Sequence, residues 1–582
     1  MLAYIYAINI NIKEIGGFIM KKRWFLTAAV LFAFLANSFV FSYATVRGDL
    51  NYDGGVDSLD FGLYRMYLLG GHQISDNTIS DLNADGSSNS LDFGLLRKYL
   101  LGMITTFPAD EAPIVTPTPS NDPEEAWKNN TGTINLGNTI TYTGTGISVS
   151  GSTVRITSGG DHEVTGTLSN GMIYVNTKER VKLRLNGVNI TNSTGPAIYF
   201  EDVDKGFITL VEGTTNTLSD GWSYQNTELK ATLFSNDDLE IKGKGTLNIT
   251  ANYNHAICSD DDIIIENGTI NVLSAANDGI HTNGSIKVKG GTLNITATKD
   301  ALQTEDEDML IQDGKLTLSA GSQAFKSDTG VVINGGTITV TKSKEGVEAP
   351  NITINGGTIN ISSTDDCLNA TNGTGGMFND DGSQLIISGG NIYLEASTGD
   401  ALDSNGKLTI EGGTVVVHGP QSQPEVAIDS NGTFTVTGGT LIATGPSGLM
   451  AQYPTGASSQ YSIAAMFSSS QPANSPVCVK DSTGKELIIT RPKRNYIYVV
   501  FSSPELKQGS TYTIYSGGNV SGGTEANGLI TGGTYNGGTA LATITVNTSP
   551  TTTSNWNGGG GFPGGGFPGG GFPGGGFPGW GW

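Results

Sequence analysis

Cysteine and positive charge are both scarce in this sequence. Only three cysteines, Cys258, Cys367 and Cys478, are scattered over 582 residues. Such a set supports neither a disulfide framework nor a cysteine-based zinc site. Lys and Arg total 32 against 54 Asp and Glu, which gives a formal net charge of −22. This charge repels nucleic acid and anionic membranes, so we expect neither as a partner, and it also repels acidic polysaccharide unless cations intervene.

Charged residues make up only 15% of the chain, whereas glycine contributes 83 residues. This composition is far from that of a helical enzyme and favours extended, turn-rich structure. A chain of 582 residues is also long enough for several domains.

The apolar run from Leu26 to Val40 is typical of a secretory signal. It follows a basic cluster that starts at Lys21 and precedes a small-x-small site ending at Ala44. The run is too short for a stable membrane anchor. We therefore expect residues 1–44 to be an upstream segment and signal peptide, with translation starting at Met20, and the protein to be secreted and extracellular.

Two acidic loops, residues 49–60 and 81–92, begin 32 residues apart. Each has oxygen side chains at loop positions 1, 3, 5, 9 and 12 and glycine at position 6, which is the pattern of a calcium loop. The predicted Ca²⁺ ligands are Asp49, Asn51, Asp53, Asp57 and Asp60 in the first loop, and Asp81, Asn83, Asp85, Asn89 and Asp92 in the second.

A helix-spaced apolar segment that ends at glycine follows each loop, and the sequence predicts no helix before either loop. The repeated Asp-Phe-Gly-Leu and Arg-x-Tyr-Leu-Leu-Gly segments closely resemble a type I dockerin module over residues 47–104, within a predicted domain 45–104. The resemblance implies a small α-helical, calcium-binding module that binds a cohesin module of a cellulosomal scaffoldin. In that family the pair at loop positions 10 and 11 contributes to cohesin choice. Here the pairs are Ser58-Leu59 and Ser90-Leu91.

Two segments have the composition of tethers. Residues 105–127 are rich in Pro, Thr and acid and predict a semi-extended linker. From residue 549 the chain passes into Gly-Gly-Gly-Phe-Pro repeats, which cannot build a core. We expect 549–582 to be a disordered tail, with or without a role of its phenylalanines in glycan or cell-wall binding.

A repeat occupies the body of the chain. Gly-Thr-Leu-Asn-Ile and related segments are separated by 23, 23, 23, 22, 21, 33, 23 and 26 residues, and they begin at Gly245, Gly268, Gly291, Gly314, Gly336, Gly357, Gly390, Gly413 and Gly439. Short alternating strands at such a period indicate a solenoid. The sequence therefore predicts a mainly β protein: a right-handed parallel β-helix over 128–449, then a β-rich module over 450–548 that covers its end.

A second motif, Asp-(Ala/Gly)-(Ile/Leu)-x, recurs once in each coil. Its third residue is expected to point inward and its fourth outward, which predicts a groove edge carrying His281, Gln303, Lys326, Glu348, Asn369 and Asp403. Stacked carboxylates repel one another unless a cation lies among them. The densest group predicts a second Ca²⁺ site, with Asp365, Asp366, Asn369, Asp400 and Asp403 as ligands.

The run from Leu233 to Leu247, the segment Ile257-Cys-Ser-Asp-Asp-Asp-Ile263 and the motif at Asn277 together resemble the clostridial carbohydrate-binding β-helix family. The resemblance spans roughly residues 130–548. It implies a calcium-containing β-helix that binds plant cell-wall polysaccharide, either cellulose or acidic pectic chains. Aromatic residues in polar loops, Trp222, Tyr224 and Tyr253, are candidates for stacking on sugar rings. They could instead cap the first coils.

Those β-helices are similar in shape to family 9 polysaccharide lyases, which raises an enzymatic alternative. Such a lyase needs calcium and a basic residue that takes a proton. Two lysines in the groove register are candidates for this base, Lys326 and, beside Asp300, Lys299. In the lyases, however, the base follows the calcium carboxylates along the chain, whereas Lys326 precedes the densest cluster. The sequence therefore favours a non-catalytic binding protein, with a calcium-dependent lyase and a structural spacer of the cellulosome as alternatives.

The likeness of the two loops predicts two equivalent docking orientations related by a pseudo-twofold axis. Substituting Leu59→Ala alone should then hardly weaken cohesin binding, because the second copy still presents Leu91. The double variant Leu59→Ala/Leu91→Ala should lose binding. Calorimetry with a cognate cohesin measures both, and complete loss from the single change would exclude dual docking.

Overall fold

The computed structural model describes residues 47–51, 55–68, 74, 77–82, 88, 90–100, 104, 106–107, 123–374, 379–446, 450–455 and 457–556. The chain divides into two compact units, residues 1–118 and 119–582. The predicted signal peptide lies outside the described residues. No helix within these ranges combines the length and the apolar character that crossing a membrane requires.

The first unit contains three described helices, α1 (Ser58–Leu68), α2 (Asn77–Ser80) and α3 (Ser90–Leu100). Helices α1 and α3 are the segments predicted to follow the two acidic loops. The single turn of α2 lies directly before the second loop, where no helix was predicted. Their first turns meet through Phe61 and Phe93, whose rings stack with centroids 4.3 Å apart. The small core beneath them comprises Leu50, Tyr64, Leu82, Leu96 and Phe107.

The second unit begins with a 3-10 helix, Pro123–Asn129. It continues as a solenoid whose coils each contribute strands to three faces. The first face is a thirteen-stranded sheet. Its strands are β3 (Ile147–Ser150), β4 (Thr153–Ile156), β6 (Met172–Asn176), β8 (Ile198–Asp202), β11 (Ala231–Ser235), β14 (His255–Ser259), β17 (Ile280–Thr282), β20 (Leu302–Thr304), β23 (Gln323–Ser327), β26 (Glu345–Ala349), β29 (Leu368–Ala370), β32 (Leu402–Ser404) and β35 (Ile428–Ser430).

The other two faces belong to a 27-stranded sheet, which also takes in strands from the C-terminal part of the chain. Its strands up to residue 297 are β1 (Thr131–Leu136), β2 (Thr141–Tyr142), β5 (Gly160–Leu168), β7 (Val181–Asn192), β9 (Gly206–Leu210), β10 (Thr215–Asp220), β12 (Leu239–Gly243), β13 (Thr246–Ala251), β15 (Ile263–Ile265), β16 (Thr269–Ala275), β18 (Ile286–Val288) and β19 (Thr292–Ala297).

The remaining strands of this sheet are β21 (Met309–Ile311), β22 (Lys315–Ala320), β24 (Gly330–Ile333), β25 (Thr337–Lys342), β27 (Asn351–Ile354), β28 (Thr358–Ser363), β30 (Gln384–Ile387), β31 (Asn391–Ala396), β33 (Lys407–Ile410), β34 (Thr414–His418), β36 (Phe434–Val436), β37 (Thr440–Gly445), β38 (Ser462–Gln471), β41 (Tyr496–Ser502) and β48 (Thr551–Thr552). The predicted parallel β-helix is confirmed, because equivalent strands of successive coils pair in parallel.

Each coil places its apolar residues directly over those of the preceding coil. On the first face Ile257 pairs with Ile280, Ile280 with Leu302, and Leu302 with Phe325, and all four side chains are fully buried. No strand of three to six residues could bury its apolar side alone, so each coil completes the core of its neighbour.

The coil corners require glycine because successive backbones approach one another closely there. Gly268 and Gly291 adopt φ of +100° and +89°. A Cβ atom on Gly291 would lie 2.7 Å from the Gly268 carbonyl oxygen. Both the left-handed conformation and the lack of space select glycine at this position.

The last coils are covered by the β-rich C-terminal module. Strand β41 pairs antiparallel with β37, the last coil strand of its face, and with β38. The module also forms a six-stranded sheet of β39 (Val477–Asp481), β40 (Glu486–Thr490), β42 (Thr511–Ser516), β44 (Thr524–Ala526), β45 (Leu529–Thr531) and β47 (Thr539–Thr545), and a hairpin of β43 (Asn519–Ser521) and β46 (Thr534–Asn536). This arrangement protects an otherwise open strand edge.

Two predicted boundaries shift. Trp127, assigned to the linker, lies in the 3-10 helix and stacks on Phe207 with ring centroids 5.5 Å apart. At the other end, β48 pairs with β38, and Trp556 lies 5.5 Å from Tyr453 and 5.7 Å from Tyr498 between ring centroids. Residues 549–556 are therefore part of the ordered module, although they were predicted to be tail. Residues 557–582 lie outside the described part of the chain.

Because the backbones approach closely at Gly291, adding a Cβ atom there should cost packing energy in addition to backbone strain, and the two costs can be separated. Gly187 also has positive φ, +73°, but a Cβ atom there would meet nothing within 4 Å. Gly291→Ala should therefore lower the free energy of unfolding by about 1–3 kcal/mol more than Gly187→Ala, which carries the conformational strain alone. Denaturant titration measures the difference, and equal losses would contradict direct packing between coils.

Candidate functional site

Two columns of polar side chains run along the first face. The groove column, formed by the fourth residues of the repeated motif, continues through register pairs from one coil to the next: His281, Gln303, Lys326, Glu348, Asn369, Asp403 and Asp429. The bend column lies three residues earlier in each coil and contains His255, Asp278, Asp300, Gln323, Glu345, Asp366 and Asp400. The predicted alignment of the groove-column residues from coil to coil is therefore confirmed, and it extends one coil further, to Asp429.

The aspartates of the bend column tie successive coils together. Asp278 Oδ1 accepts a hydrogen bond from the Asp300 backbone N–H at 3.0 Å, and Asp366 Oδ1 accepts one from Asp400 N–H at 2.7 Å. Asp400 Oδ1 accepts from Val426 N–H at 2.5 Å. These bonds satisfy backbone donors at the bend, where the strand ladder is interrupted. Each carboxylate still has a second oxygen that can face the groove.

The densest group of carboxylates lies near the C-terminal end of this face. Carboxylate oxygens of Asp400, Asp403 and Asp429 lie within 4.8 Å of one another. No described lysine or arginine forms an ion pair with any of the three, nor with Asp366. Burial, followed by the neighbouring carboxylates, raises the pKa of Asp366 to about 8 and holds the pKa values of Asp400 and Asp403 well above their usual range.

Two neutral oxygens adjoin these carboxylates. Asn369, which pairs in register with Asp403, has a buried Oδ1 without a hydrogen-bond partner. Gln452 donates a hydrogen bond from Nε2 to Asp429, and its buried Oε1 likewise has no partner. Crowded acids without countercharge and unpaired amide acceptors form a donor set made only of oxygen, which fits a hard cation such as Ca²⁺.

The three-carboxylate group differs in membership from the predicted ligand set. Asp365 lies outside it, with a partly exposed carboxylate 3.5 Å from Lys344 Nζ, and Asp366 is not one of the three either. Asp429 joins it instead, although it was not predicted. The signal for Asp429 was present, since Ala427-Ile428-Asp429 repeats the end of the motif, but Val426 replaces the expected acid at the first position.

Lys326, the alternative lyase base, is engaged in ion pairs. Its Nζ contacts Glu348 Oε1 and lies 3.7 Å from Asp328 Oδ1. Burial alone would lower the pKa of Lys326, but the Glu348 carboxylate raises it above its ordinary value. The side chain is therefore held protonated, which is the wrong state for a general base.

The three candidate sugar-binding aromatics differ in exposure. Trp222 is 82% exposed. Tyr224 is buried, stacks on Tyr253 with ring centroids 4.2 Å apart, and donates a hydrogen bond from its hydroxyl to Asp220 Oδ2 at 2.7 Å. Asp220 Oδ1 in turn accepts from Asn252 N–H at 2.5 Å. Tyr224 thus links two neighbouring turns, which fits the capping alternative. Trp222 has the exposure that stacking on a sugar ring requires.

A second cluster lies toward the N-terminal end of the same columns. His255, Asp278 and His281 place one ligand atom each within 4.8 Å of the others. The repeated motif predicts the place of His281 in the groove column. Its proximity to His255 has no signal in the sequence, because it depends on the stacking of adjacent coils.

The dockerin-like loops are closed by their last aspartates. Asp60 is fully buried, with Oδ1 accepting from Leu50 N–H at 2.7 Å and Oδ2 from Asp57 N–H at 2.8 Å. Asp92 Oδ1 accepts from Leu82 N–H at 2.9 Å. The equivalent bond in both copies reflects their internal symmetry.

The rest of the predicted loop set is only partly described. Asp49, Asn51, Asp57 and Asp81 lie in the described part, and their side chains offer oxygen donors that fit Ca²⁺. Asp53, Asn83, Asp85 and Asn89 lie outside the described residues. Of the predicted cohesin-contacting residues, Leu59 is 62% exposed, while the side chains of Ser58, Ser90 and Leu91 are not among those described.

Comparison with known proteins gives matches in both units. Residues 47–101 match the model of the dockerin type I domain, and residues 150–380 match that of carbohydrate-binding domain-containing proteins. A carbohydrate-binding domain-containing protein of Acetivibrio thermocellus is 37% identical over 127 residues. The alignment covers 21% of this chain and 44% of that relative, so the chain spans less than half of the relative's length.

A solved structure is also similar. It is described as the polysaccharide lyase-like protein from C. thermocellum, in a gadolinium derivative, with 30% identity and a TM-score of 0.35. The match covers 42% of this chain and 98% of that one. The two family matches confirm the resemblances seen in the sequence: this chain carries a type I dockerin domain, followed by a segment that matches carbohydrate-binding domain-containing proteins.

Proposed function

We propose that the solenoid binds acidic plant cell-wall polysaccharide in a calcium-dependent manner and that the dockerin attaches it to a scaffoldin cohesin of an extracellular cellulosome. The dockerin match supports the attachment. The matching carbohydrate-binding family and the Acetivibrio thermocellus relative support a glycan ligand for the solenoid.

The observation that carries the calcium dependence is the uncompensated cluster of Asp400, Asp403 and Asp429. Three carboxylates this close repel one another strongly in a partly buried site. Together with the unpaired amide oxygens of Asn369 and Gln452 they form a set suited to Ca²⁺. When bound, the ion supplies positive charge and coordination positions that a uronate carboxylate can share.

The net charge of the chain makes such an ion necessary for an acidic ligand. A protein with formal charge −22 repels a polyuronate at long range. Neutral glucan requires no ion, because its C–H faces stack on aromatic rings such as the exposed Trp222. The two ligand classes should therefore differ in their calcium requirement.

The state of Lys326 favours binding over the lyase alternative. A proton-abstracting base must be unprotonated, whereas Lys326 is paired with Glu348 and has a raised pKa. We therefore assign the groove column to ligand binding.

Removing two acids from the cluster should mimic removal of calcium. We expect Asp403→Asn/Asp429→Asn to weaken binding to polygalacturonate by at least about tenfold, since two charged ligands of the ion are lost. Chelation of the wild-type protein should abolish the same binding. Affinity electrophoresis and calorimetry measure both effects.

The matched control removes two charges elsewhere. Asp313→Asn/Glu411→Gln alters exposed acids on turns of the other faces and should leave binding unchanged. Undiminished polygalacturonate binding by the cluster variant would remove these carboxylates from the site. Release of unsaturated uronide in calcium would support the lyase, and absence of any glycan binding would support the spacer.

The raised pKa values also predict an inverse pH dependence of stability without calcium. The folded pKa of Asp366 is about 8, above the roughly 3.9 of an unfolded aspartate. The folded state therefore binds more protons, and its stability falls as the pH rises from about 4 to 8. In chelator we expect the melting temperature to decrease from pH 5 to pH 8.

Calcium should raise the melting temperature more at pH 8 than at pH 5, since protonated acids do not hold the ion. Melting followed by the β-sheet circular dichroism signal tests this, with Asp403→Asn/Asp429→Asn as a variant in which the slope should flatten. Rising stability over the same interval in chelator would contradict the proposed electrostatic conflict.

A further inference from the structure

In the His255, Asp278 and His281 cluster, two imidazole nitrogens approach the same carboxylate oxygen. His255 Nδ1 lies 3.1 Å from Asp278 Oδ2, and His281 Nδ1 lies 3.2 Å from the same oxygen. All three atoms are buried, and none has a partner with hydrogen-bond geometry. One possible ligand atom of each of the three residues thus lies within 4.8 Å of the others.

The surrounding structure fixes each of these side chains in place. Asp278 is fully buried, and its other oxygen, Oδ1, accepts the Asp300 N–H bond at 3.0 Å. The two imidazole rings come from adjacent coils and stack with centroids 4.3 Å apart. His281 Nε2 lies 3.5 Å from Glu305 Oε1 on the side away from the cluster.

Glu305 lies beside the second nitrogen of His281. If an ion replaces the proton on Nδ1, the ring carries its proton on Nε2, where the Glu305 carboxylate can accept it. Metal-binding histidines characteristically pair their second nitrogen with a carboxylate in this way. Glu305 is 46% exposed in its side chain, so it orients the ring from the solvent side.

We propose that His255, Asp278 and His281 form a binding site for a divalent transition-metal ion of the zinc type. Two imidazole nitrogens and one carboxylate oxygen are the three protein ligands typical of zinc sites that keep a position open. This set differs in kind from the oxygen-only acid cluster, since imidazole suits Zn²⁺ whereas Ca²⁺ takes oxygen ligands.

An open cavity adjoins the cluster. The cluster borders a cavity of about 470 Å³ whose wall also includes Asn254, Asn277, Asn283 and Gln303. The nearby lysines do not neutralise Asp278, because Lys230 pairs with Asp260 at 2.5 Å and Lys299 lies 3.7 Å from Asp300. The cavity leaves room for water or a ligand hydroxyl on the ion.

The two ion sites then lie at different points of one groove. The groove column advances five coils from His281 to Asp403, a distance of roughly 24 Å at the usual spacing of about 4.8 Å between paired strands. A glycan chain lying along the first face would pass both sites. The zinc-type site does not require that ligand, so it can be tested separately from the proposed polysaccharide binding.

Zinc titration of the full chain in excess calcium tests the site, because calcium occupies the oxygen clusters first. Calorimetry should detect one more equivalent of Zn²⁺ in the wild-type protein than in His255→Asn/His281→Gln. Glu305→Gln should bind the ion more weakly, by roughly tenfold, since it loses only the orienting carboxylate. Asp403→Asn/Asp429→Asn should bind zinc as the wild type does.

Co²⁺ provides a second measurement that does not depend on any variant folding. Bound to the wild-type chain in excess calcium, it should show the intense visible absorption of a four- or five-coordinate site with nitrogen ligands. A weak six-coordinate oxygen spectrum would overturn the proposal. So would equal zinc binding by the wild type and the double histidine variant, or loss of zinc binding in the Asp403→Asn/Asp429→Asn variant.

Discussion

The parallel pairing of each coil with the next, in constant register, is the interaction on which the rest of this structure depends. It places Ile257, Ile280 and Leu302 in one buried line, because paired strands lie only about 4.8 Å apart. The same pairing carries the polar residues outward in lines of equal regularity. Any residue type repeated in the motif is therefore repeated in space, whether it is an isoleucine in the core or a carboxylate on the surface.

This regularity brings carboxylates of successive coils close together, and their repulsion is compensated in different ways along the groove column. In the middle, Lys326 neutralises Glu348 by direct contact. In the bend column, aspartates direct one oxygen to a backbone N–H of the next coil, as Asp366 does with Asp400. At Asp403 and Asp429 neither arrangement is present and the carboxylates remain crowded. Their repulsion can be relieved by protonation at low pH, to which the raised pKa of Asp403 corresponds, or by a bound cation.

The fold could be predicted from sequence because its signals are local and repeated. The spacing of the glycines predicted the coils, and the repeated motif predicted the outward column from His281 to Asp403. The site features that the sequence did not predict depend on contacts between coils and on the conformations of individual side chains. Tyr224 is buried because Asp220 lies within reach of its hydroxyl, and Asp365 turns toward Lys344. Neither contact can be predicted from the spacing of the residues in the sequence.

Anomalous X-ray scattering from crystals of the full chain grown with both calcium and zinc would test most directly whether one register produces two ion sites of different chemistry. Data recorded on either side of the zinc absorption edge should show an edge-dependent peak between His255, Asp278 and His281. A second peak, whose height does not change across the zinc edge, should lie among Asp400, Asp403 and Asp429. Absence of both peaks, or zinc in the acid cluster with the histidines vacant, would contradict this assignment.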